Sequence, residues 1–192
     1  MSATVKEKWD RNYQDSHDKT VPSSLLIEHA FLLPKVGSAL DLACGLGANA
    51  CFLAERGLAT AAWDISTVAI NKLQQSAQTK VLSIKSEIRD ITSHSFIENS
   101  FNVIIISRFL DRSLSDAIMS ALKPGGLLFY QTFNRQKVDA NGPNNPEYLL
   151  ADQELLAMFA PLKLIYYQEN GRIGVLSAGF RNETQFIAQK SV

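Results

Sequence analysis

Three carboxylates and two glycines stand where a nucleotide-like ligand would need them. "DLACGLGANA" runs from Asp41 to Ala50, with Gly45 and Gly47 in a G-x-G-x-x-A arrangement. Glycines so spaced let backbone come close to a ligand, because no Cβ intervenes. Asp64 closes the next apolar run, about twenty residues on, where an acid can accept both hydroxyls of a ribose. Asp90, in "IRDI", follows a third run, where a carboxylate can accept from an adenine amino group. Two kinds of ligand satisfy this spacing: the phosphates of a dinucleotide, or a nucleoside without phosphates. The spacing alone does not separate them.

These residues have to be carried on strand ends and helix starts. "SALDLAC" (38–44) reads as a buried strand, and Gly47 to Arg56 as a helix stopped by Gly57. "ATAAWD" (59–64) is a second strand. Ser66 then caps a helix with Ala69, Ile70, Leu73 and Ala77 on one face. "KVLSI" (80–84) is a weaker third strand, and "FNVIIIS" (101–107) is apolar on both faces, as central parallel strands are. A short helix from Ser113 to Leu122 ends at the breaker run "KPGG". The strand "LLFYQTF" (127–133) follows, and then a helix from Asp152 to Phe159 capped by Asp152. "LKLIYYQEN" and "ETQFIAQK" close the chain as strands joined without a helix, which predicts an antiparallel hairpin at one edge.

The alternation predicts an α/β fold: a doubly wound, mostly parallel, seven-stranded, Rossmann-like sheet with an antiparallel C-terminal hairpin. Ligands bind such sheets at the carboxyl ends of the strands, where strand order reverses. The expected organisation is one domain over 1–192. A helical N-terminal segment (1–35) acts as a lid, in which Trp9 and Tyr13 form a core-facing stripe at i and i+4. A loop over 134–150 serves as a second lid.

The chain has 192 residues and a formal net charge of zero. Zero net charge argues against nucleic acid as the main partner, since phosphate binding needs clustered excess Lys and Arg. The opening residues carry no apolar run of signal-peptide type, and no stretch approaches the roughly 18 apolar residues of a membrane span. The two cysteines, Cys44 and Cys51, are expected to be free thiols in a reducing cytoplasm. Cys44 reads as small and buried rather than reactive. His17, His29 and His94 lack metal-ligand spacing, so no metal is expected. His17, near the lid, is a candidate for substrate contact.

Three features favour S-adenosylmethionine over a dinucleotide. Asp41 near the ligand end of the first strand would repel a pyrophosphate but suits an ammonium or sulfonium. Asp90 fits an adenine amino group. The "KPGG" strand and terminal hairpin fit a methyltransferase sheet better than a second mononucleotide half. The chain resembles the class I S-adenosylmethionine-dependent methyltransferases over almost its whole length. The resemblance is carried by "ALDLACGLGANACFLAERG", "AAWDIS", "IRDI" and "ALKPGGLLFYQTF". "KWDRNYQ" is similar to small-molecule methyltransferases near the tellurite-resistance group. In the glycine loop that group often has Arg before Asn, whereas Ala48-Asn49 stand here.

The resemblance implies a cofactor site. Gly45 and Gly47 would let backbone approach the methionine end, and Asp41, Ala43, Cys44 and Asn49 would join them in binding the cofactor. Asp64 would bind the ribose, Ile65 would pack on the adenine, and Asp90 with the backbone of Ile91 would read its edge. Ser107 and Arg108 would face the methionine end, and Tyr13 would cover it. After the fourth strand the chain reads "SRFLDR", without the Asn/Asp-Pro-Pro-aromatic run of many nucleic-acid and amide N-methyltransferases. The expectation is therefore methyl transfer to a small molecule in one displacement, with Arg112 and Arg135 as acceptor contacts and no side chain assigned as catalytic base. The competing readings are a non-catalytic S-adenosylmethionine-binding protein and a nicotinamide-dependent oxidoreductase. The latter needs a proton-relay Tyr-Lys or His pair that is not evident.

Overall fold

The computed structural model describes residues 4–16 and 21–192. Seven strands form one sheet in the order β3-β2-β1-β4-β5-β7-β6. They are β1 (Ser38–Leu42), β2 (Ala59–Asp64), β3 (Ile84–Ile88), β4 (Phe101–Ser107), β5 (Leu122–Phe133), β6 (Lys163–Gln168) and β7 (Glu183–Gln189). The first five pair in parallel. β7 runs antiparallel between β5 and β6, so the second strand of the terminal hairpin is the inner one. Strand order reverses between β1 and β4, and the crevice of such a sheet opens there.

Six α-helices accompany the sheet among the described residues: α1 (Val5–Gln14), α2 (Ser24–Glu28), α3 (Ala48–Glu55), α4 (Thr67–Thr79), α5 (Ser115–Ala121) and α6 (Glu154–Met158). Both faces of the sheet are covered, and β4 shows why its apolar run is continuous. Ile104 and Ile106 pack with Leu114 and Ile118 beside α5 and with Leu155 of α6. Val103 and Ile105 pack with Leu25 and Leu26 of α2 and Leu53 of α3. Burying such side chains contributes about 1.5–3 kcal/mol each, which fixes the strand ends that carry the polar residues.

Several boundaries differ from the sequence reading. The third strand is 84–88, not 80–84. Helix α4 runs on to Thr79, Lys80 is its C-cap, and Val81 turns the chain at φ 56°. β3 is an edge strand with no fully buried residue, so it carries no apolar signal. β1 ends at Leu42 because Ala43 takes a left-handed φ of 54°. β5 begins at Leu122. "KPGG" lies inside it, at an irregularity in its pairing with β4. Helix α6 is not capped by Asp152. Its N-cap is Gln153, at φ 59° and without a side-chain cap bond.

The N-terminal segment differs most. α1 has no buried residue, and Trp9 is 37% exposed, so Trp9 and Tyr13 do not form a core stripe. The two rings stack on each other with centroids 5.7 Å apart. α1 is held instead by polar contacts to α4. Asp10 accepts from the Ser66 hydroxyl (2.6 Å) and the Val68 amide (3.2 Å), and Lys6 donates to Asp10 and to Thr67 Oγ1. Lys72 donates to the carbonyls of Tyr13, Gln14 and Ser16.

Candidate functional site

The turn after β1 places three residues in the left-handed region: Ala43, Gly45 (φ 51°) and Gly47 (φ 76°). Glycine takes this conformation without steric cost. At Gly45 and Gly47 there is also no room for a side chain. A Cβ on Gly47 would stand 2.3 Å from Leu73, and one on Gly45 would stand 2.7 Å from the Tyr13 hydroxyl. Tyr13 therefore lies directly over the glycine turn. Burial and the nearby Asp64, Cys44 and Asp41 push its phenol well above the usual tyrosine range.

Two buried carboxylates sit under this turn. Asp64 Oδ2 accepts from the Gly45 amide and Oδ1 from the Ser66 amide, both at 2.8 Å. Asp41 Oδ2 accepts from the Ala50 amide at 2.9 Å. Asp41 Oδ1 is buried with no partner among the described residues. Burial raises both carboxyls above the ordinary 3.8, Asp41 strongly and against the opposing pull of the Ala50 amide and the nearby Asn49 side chain. The described residues supply no Lys or Arg that bonds either group. An orphaned buried carboxylate oxygen of this kind fits a ligand that brings a donor or a positive charge.

Beside the turn, Thr4, Val5, Lys6, Ile65, Ile88 and Asp90 line an open cleft of about 510 Å³. Ile65 and Asp90 thus share one recess at the ends of β2 and β3, roofed by the first turn of α1. Ile91 is half-buried nearby in chain order and packs toward the core cluster of Trp63 and Phe96. Arg89 lies over the Trp63 ring at 4.2 Å and pairs with Glu87.

The remaining candidates divide. Asn49 is buried and accepts from the Ser23 amide at 2.9 Å, so it joins the glycine turn to α2. Cys44 is partly covered, and burial raises its thiol well above the usual range, which fits an inert packing role. Ser107 ends β4 opposite Gln131. Arg108 bonds Glu183 at the start of β7 rather than any residue of the glycine turn. Arg112 is committed to the protein itself: it forks onto both oxygens of Glu154 and donates to the carbonyls of Glu147 and Leu149. Arg135 is exposed, beyond the end of β5. His17 lies outside the described residues. Asp10, Lys72 and Glu183 went unnoticed in the sequence. Each works through a contact more than fifty residues away along the chain, which no local pattern encodes.

Residues 39–126 match the methyltransferase domain family. TehB from Haemophilus influenzae superposes with a TM-score of 0.73, covering 95% of this chain and 67% of its own, at 20% identity. An S-adenosylmethionine-dependent methyltransferase from Methanosarcina mazei superposes with a TM-score of 0.68, covering 90% of this chain and all of its own, at 19% identity. At these identities the likeness shows the fold. The tRNA 5-carboxymethoxyuridine methyltransferase of Escherichia coli (strain K12) is 27% identical over 145 residues, 68% of this chain and 55% of its own. The chain spans about half the length of the curated relatives it matches. The matched segment carries the glycine turn, and the fold around it is the one seen in S-adenosylmethionine-dependent methyltransferases. The architecture is similar to that of TehB. Among the described residues, no helix is long and apolar enough to cross a membrane.

Proposed function

We propose that this chain binds S-adenosylmethionine and transfers its methyl group to a small molecule. The observation that carries the reading is the pair of buried carboxylates under the glycine turn, with one oxygen of Asp41 unpartnered and no basic residue bonded to either group among the described residues. A pyrophosphate would meet uncompensated negative charge there. A cationic amino-acid end would be held by it.

The bound cofactor supplies a methyl group on a sulfonium, already an excellent leaving group. The residues of this chain have the tasks of binding, orienting and excluding water. Asp64 can accept from ribose hydroxyls through its remaining lone pairs, and Asp41 can accept from an ammonium. Asp90 and Ile65 suit an adenine edge and face. Tyr13 closes the methionine end from α1. Within the expected lid 1–35, α1 covers the site while α2 is built into the core, and 134–150 acts as a second lid of one domain. No side chain is assigned as a base, and none is needed for a thiol acceptor, part of which is ionised near neutral pH.

A small-molecule acceptor is favoured by the zero net charge and by the absence of an Asn/Asp-Pro-Pro-aromatic run after β4. The relative that methylates a tRNA nucleoside makes nucleic acid the reading to test against. Calorimetry with S-adenosylhomocysteine and with NAD tests the cofactor. Tight NAD binding and none of S-adenosylhomocysteine would overturn the proposal. Labelled S-adenosylmethionine offered small thiols and carboxylic acids beside bulk tRNA tests the acceptor. Label in tRNA alone would overturn the small-molecule reading, and binding without turnover on either would favour a non-catalytic role.

A further inference from the structure

The geometry points to Arg108 as the residue that recognises a carboxylate on the methyl acceptor, with Glu183 as its positioning residue. The inference rests on the methyl-transfer reading and names the substrate class. The carboxylate is a handle, whichever acceptor atom takes the methyl group.

Position comes first. The glycine turn, Asp64 and Asp90 occupy the ends of β1, β2 and β3, on one side of the switch between β1 and β4. Arg108 follows β4, on the other side. Its φ of 55° is unusual for a residue with a Cβ, and its amide donates to the Gln131 carbonyl at 2.8 Å. The side chain reaches across β5: Nε donates to Glu183 Oε1 at 2.9 Å, and the guanidinium lies over the Phe133 ring, 5.7 Å from its centroid. It is thus turned over the half of the sheet left to the acceptor.

Support for that posture is built in. Glu183 is 5% exposed, and its other oxygen accepts from Gln131 Nε2 at 2.6 Å. Gln131 is itself fixed, its Oε1 accepting from the Leu25 amide (3.1 Å) and from Gln185 Nε2 (3.2 Å). A buried carboxylate braced by a chain of amides is more than an ordinary surface pair needs, since those contribute little. The bracing fixes only the Nε edge of the guanidinium. Nη1 and Nη2 have no partner among the described residues, and the side chain is 62% exposed. An arginine held at one edge offers the other as a preorganised pair of donors, the match for a carboxylate. Arg112 makes the contrast, because its fork is already filled by Glu154.

The test uses the full chain loaded with S-adenosylhomocysteine and labelled with 15N-arginine. Benzoate and 3-mercaptopropionate are titrated against benzamide and 3-mercaptopropionamide. The Arg108 resonances, assigned by their loss in Arg108→Gln, are expected to move with the carboxylates and not with the amides. Carboxylate affinity should fall about tenfold or more in Arg108→Gln, and Arg108→Lys should restore it only in part. Glu183→Gln should give an intermediate loss. The exposed Arg108 variants decide the matter even where Glu183→Gln does not fold. Affinity for S-adenosylhomocysteine should be unchanged in every folded variant. Unmoved resonances, an equal response to the amides, or a tenfold loss of S-adenosylhomocysteine affinity in Arg108→Gln would each overturn the assignment. Failure of the wild type to bind S-adenosylhomocysteine would instead overturn the methyl-transfer reading.

Discussion

The hydroxyl oxygen of Tyr13 lies 2.7 Å from the point where a Cβ on Gly45 would stand. A residue of α1 and a residue of the β1–α3 turn thus share one surface, and the lid and the glycine motif have to be considered together. Gly45→Ala should cost about 1–2 kcal/mol from its left-handed backbone alone, and its methyl group should push Tyr13 off the turn. A lowered unfolding midpoint together with weaker S-adenosylhomocysteine binding is expected. Tyr13→Ala in the Gly45→Ala background should recover part of the stability. A double variant less stable than the sum of the single effects would show that the contact is not a clash.

Asp64 is a structural residue as well as a candidate ribose ligand. Its oxygens hold the amides of Gly45 and Ser66. An alanine there would leave both amides unbonded, so the informative change is Asp64→Asn, which keeps the shape and one acceptor. Affinity for S-adenosylhomocysteine should fall by about 1.5–3 kcal/mol, roughly tenfold to a hundredfold, and the unfolding midpoint should drop too, though less than in Asp64→Ala, because one of the two amides loses its acceptor. Calorimetry on the folded variant checks this, and an unchanged dissociation constant would take Asp64 out of the site.

The α1–α4 contact has a predicted pH dependence. Hydrogen bonds from Lys6 and then Ser66 hold the Asp10 carboxyl down at about 2, against an ordinary 3.8. A depressed carboxyl gives stability that is present above 3.8 and lost as the pH falls toward about 2. Trp9 rides on the same helix, 37% exposed, so its fluorescence should change across that window before the sheet unfolds. The Trp63→Phe variant isolates the signal. Asp10→Ala should show the low-pH signal already at neutral pH. A Trp9 transition that coincides with global unfolding in both proteins would mean that α1 does not move separately.

The sheet and the glycine turn were legible because their signals are local. A central strand needs an apolar run, and Asp41, Gly45, Gly47, Asp64 and Asp90 stand at motif spacing. β3 was misplaced because an edge strand buries nothing that marks it. Trp9 and Tyr13 misled because i, i+4 aromatics look the same whether they face a core or each other. In sequence, Arg108 reads as a cofactor contact and Arg112 and Arg135 as acceptor contacts, because strand ends alone place them. Only side-chain partners separate Arg112, bound to Glu154, from Arg108, braced by Glu183. Those partners lie 42 and 75 residues away in the chain.

Arg112 should therefore behave as a stability residue. It ties the short turn before α5 to Glu154 and to the carbonyls of Glu147 and Leu149, and so fixes the segment that ends near Leu150. Removing hydrogen bonds of this charged kind costs about 1.5–3 kcal/mol each when unshared with water. The partly exposed geometry puts Arg112→Ala nearer about 2 kcal/mol in total. Denaturant unfolding should show that loss, while S-adenosylhomocysteine affinity holds. A neutral effect on stability would return Arg112 to the list of acceptor contacts.

Asp41 sets stability against binding. Its Oδ1 is buried without a partner among the described residues, and burial raises its carboxyl well above 3.8. The folded state therefore holds the proton more tightly than the unfolded state does. For a raised carboxyl the contribution is favourable below 3.8 and is lost as the pH rises through the folded value. Asp41→Asn cannot ionise, so it escapes that loss and keeps an acceptor for the Ala50 amide. In the ligand-free protein the variant should be more stable at pH 7 by about 1–3 kcal/mol, the scale of an unsatisfied buried group. The gap over wild type should shrink as the pH falls toward 4. Denaturant midpoints at several pH values measure it. The same variant should bind S-adenosylhomocysteine about tenfold more weakly, because the charge that destabilises the empty turn is the one an ammonium would meet. A stability gap that does not vary with pH, or an unchanged affinity, would show that the orphaned oxygen is not held for a ligand.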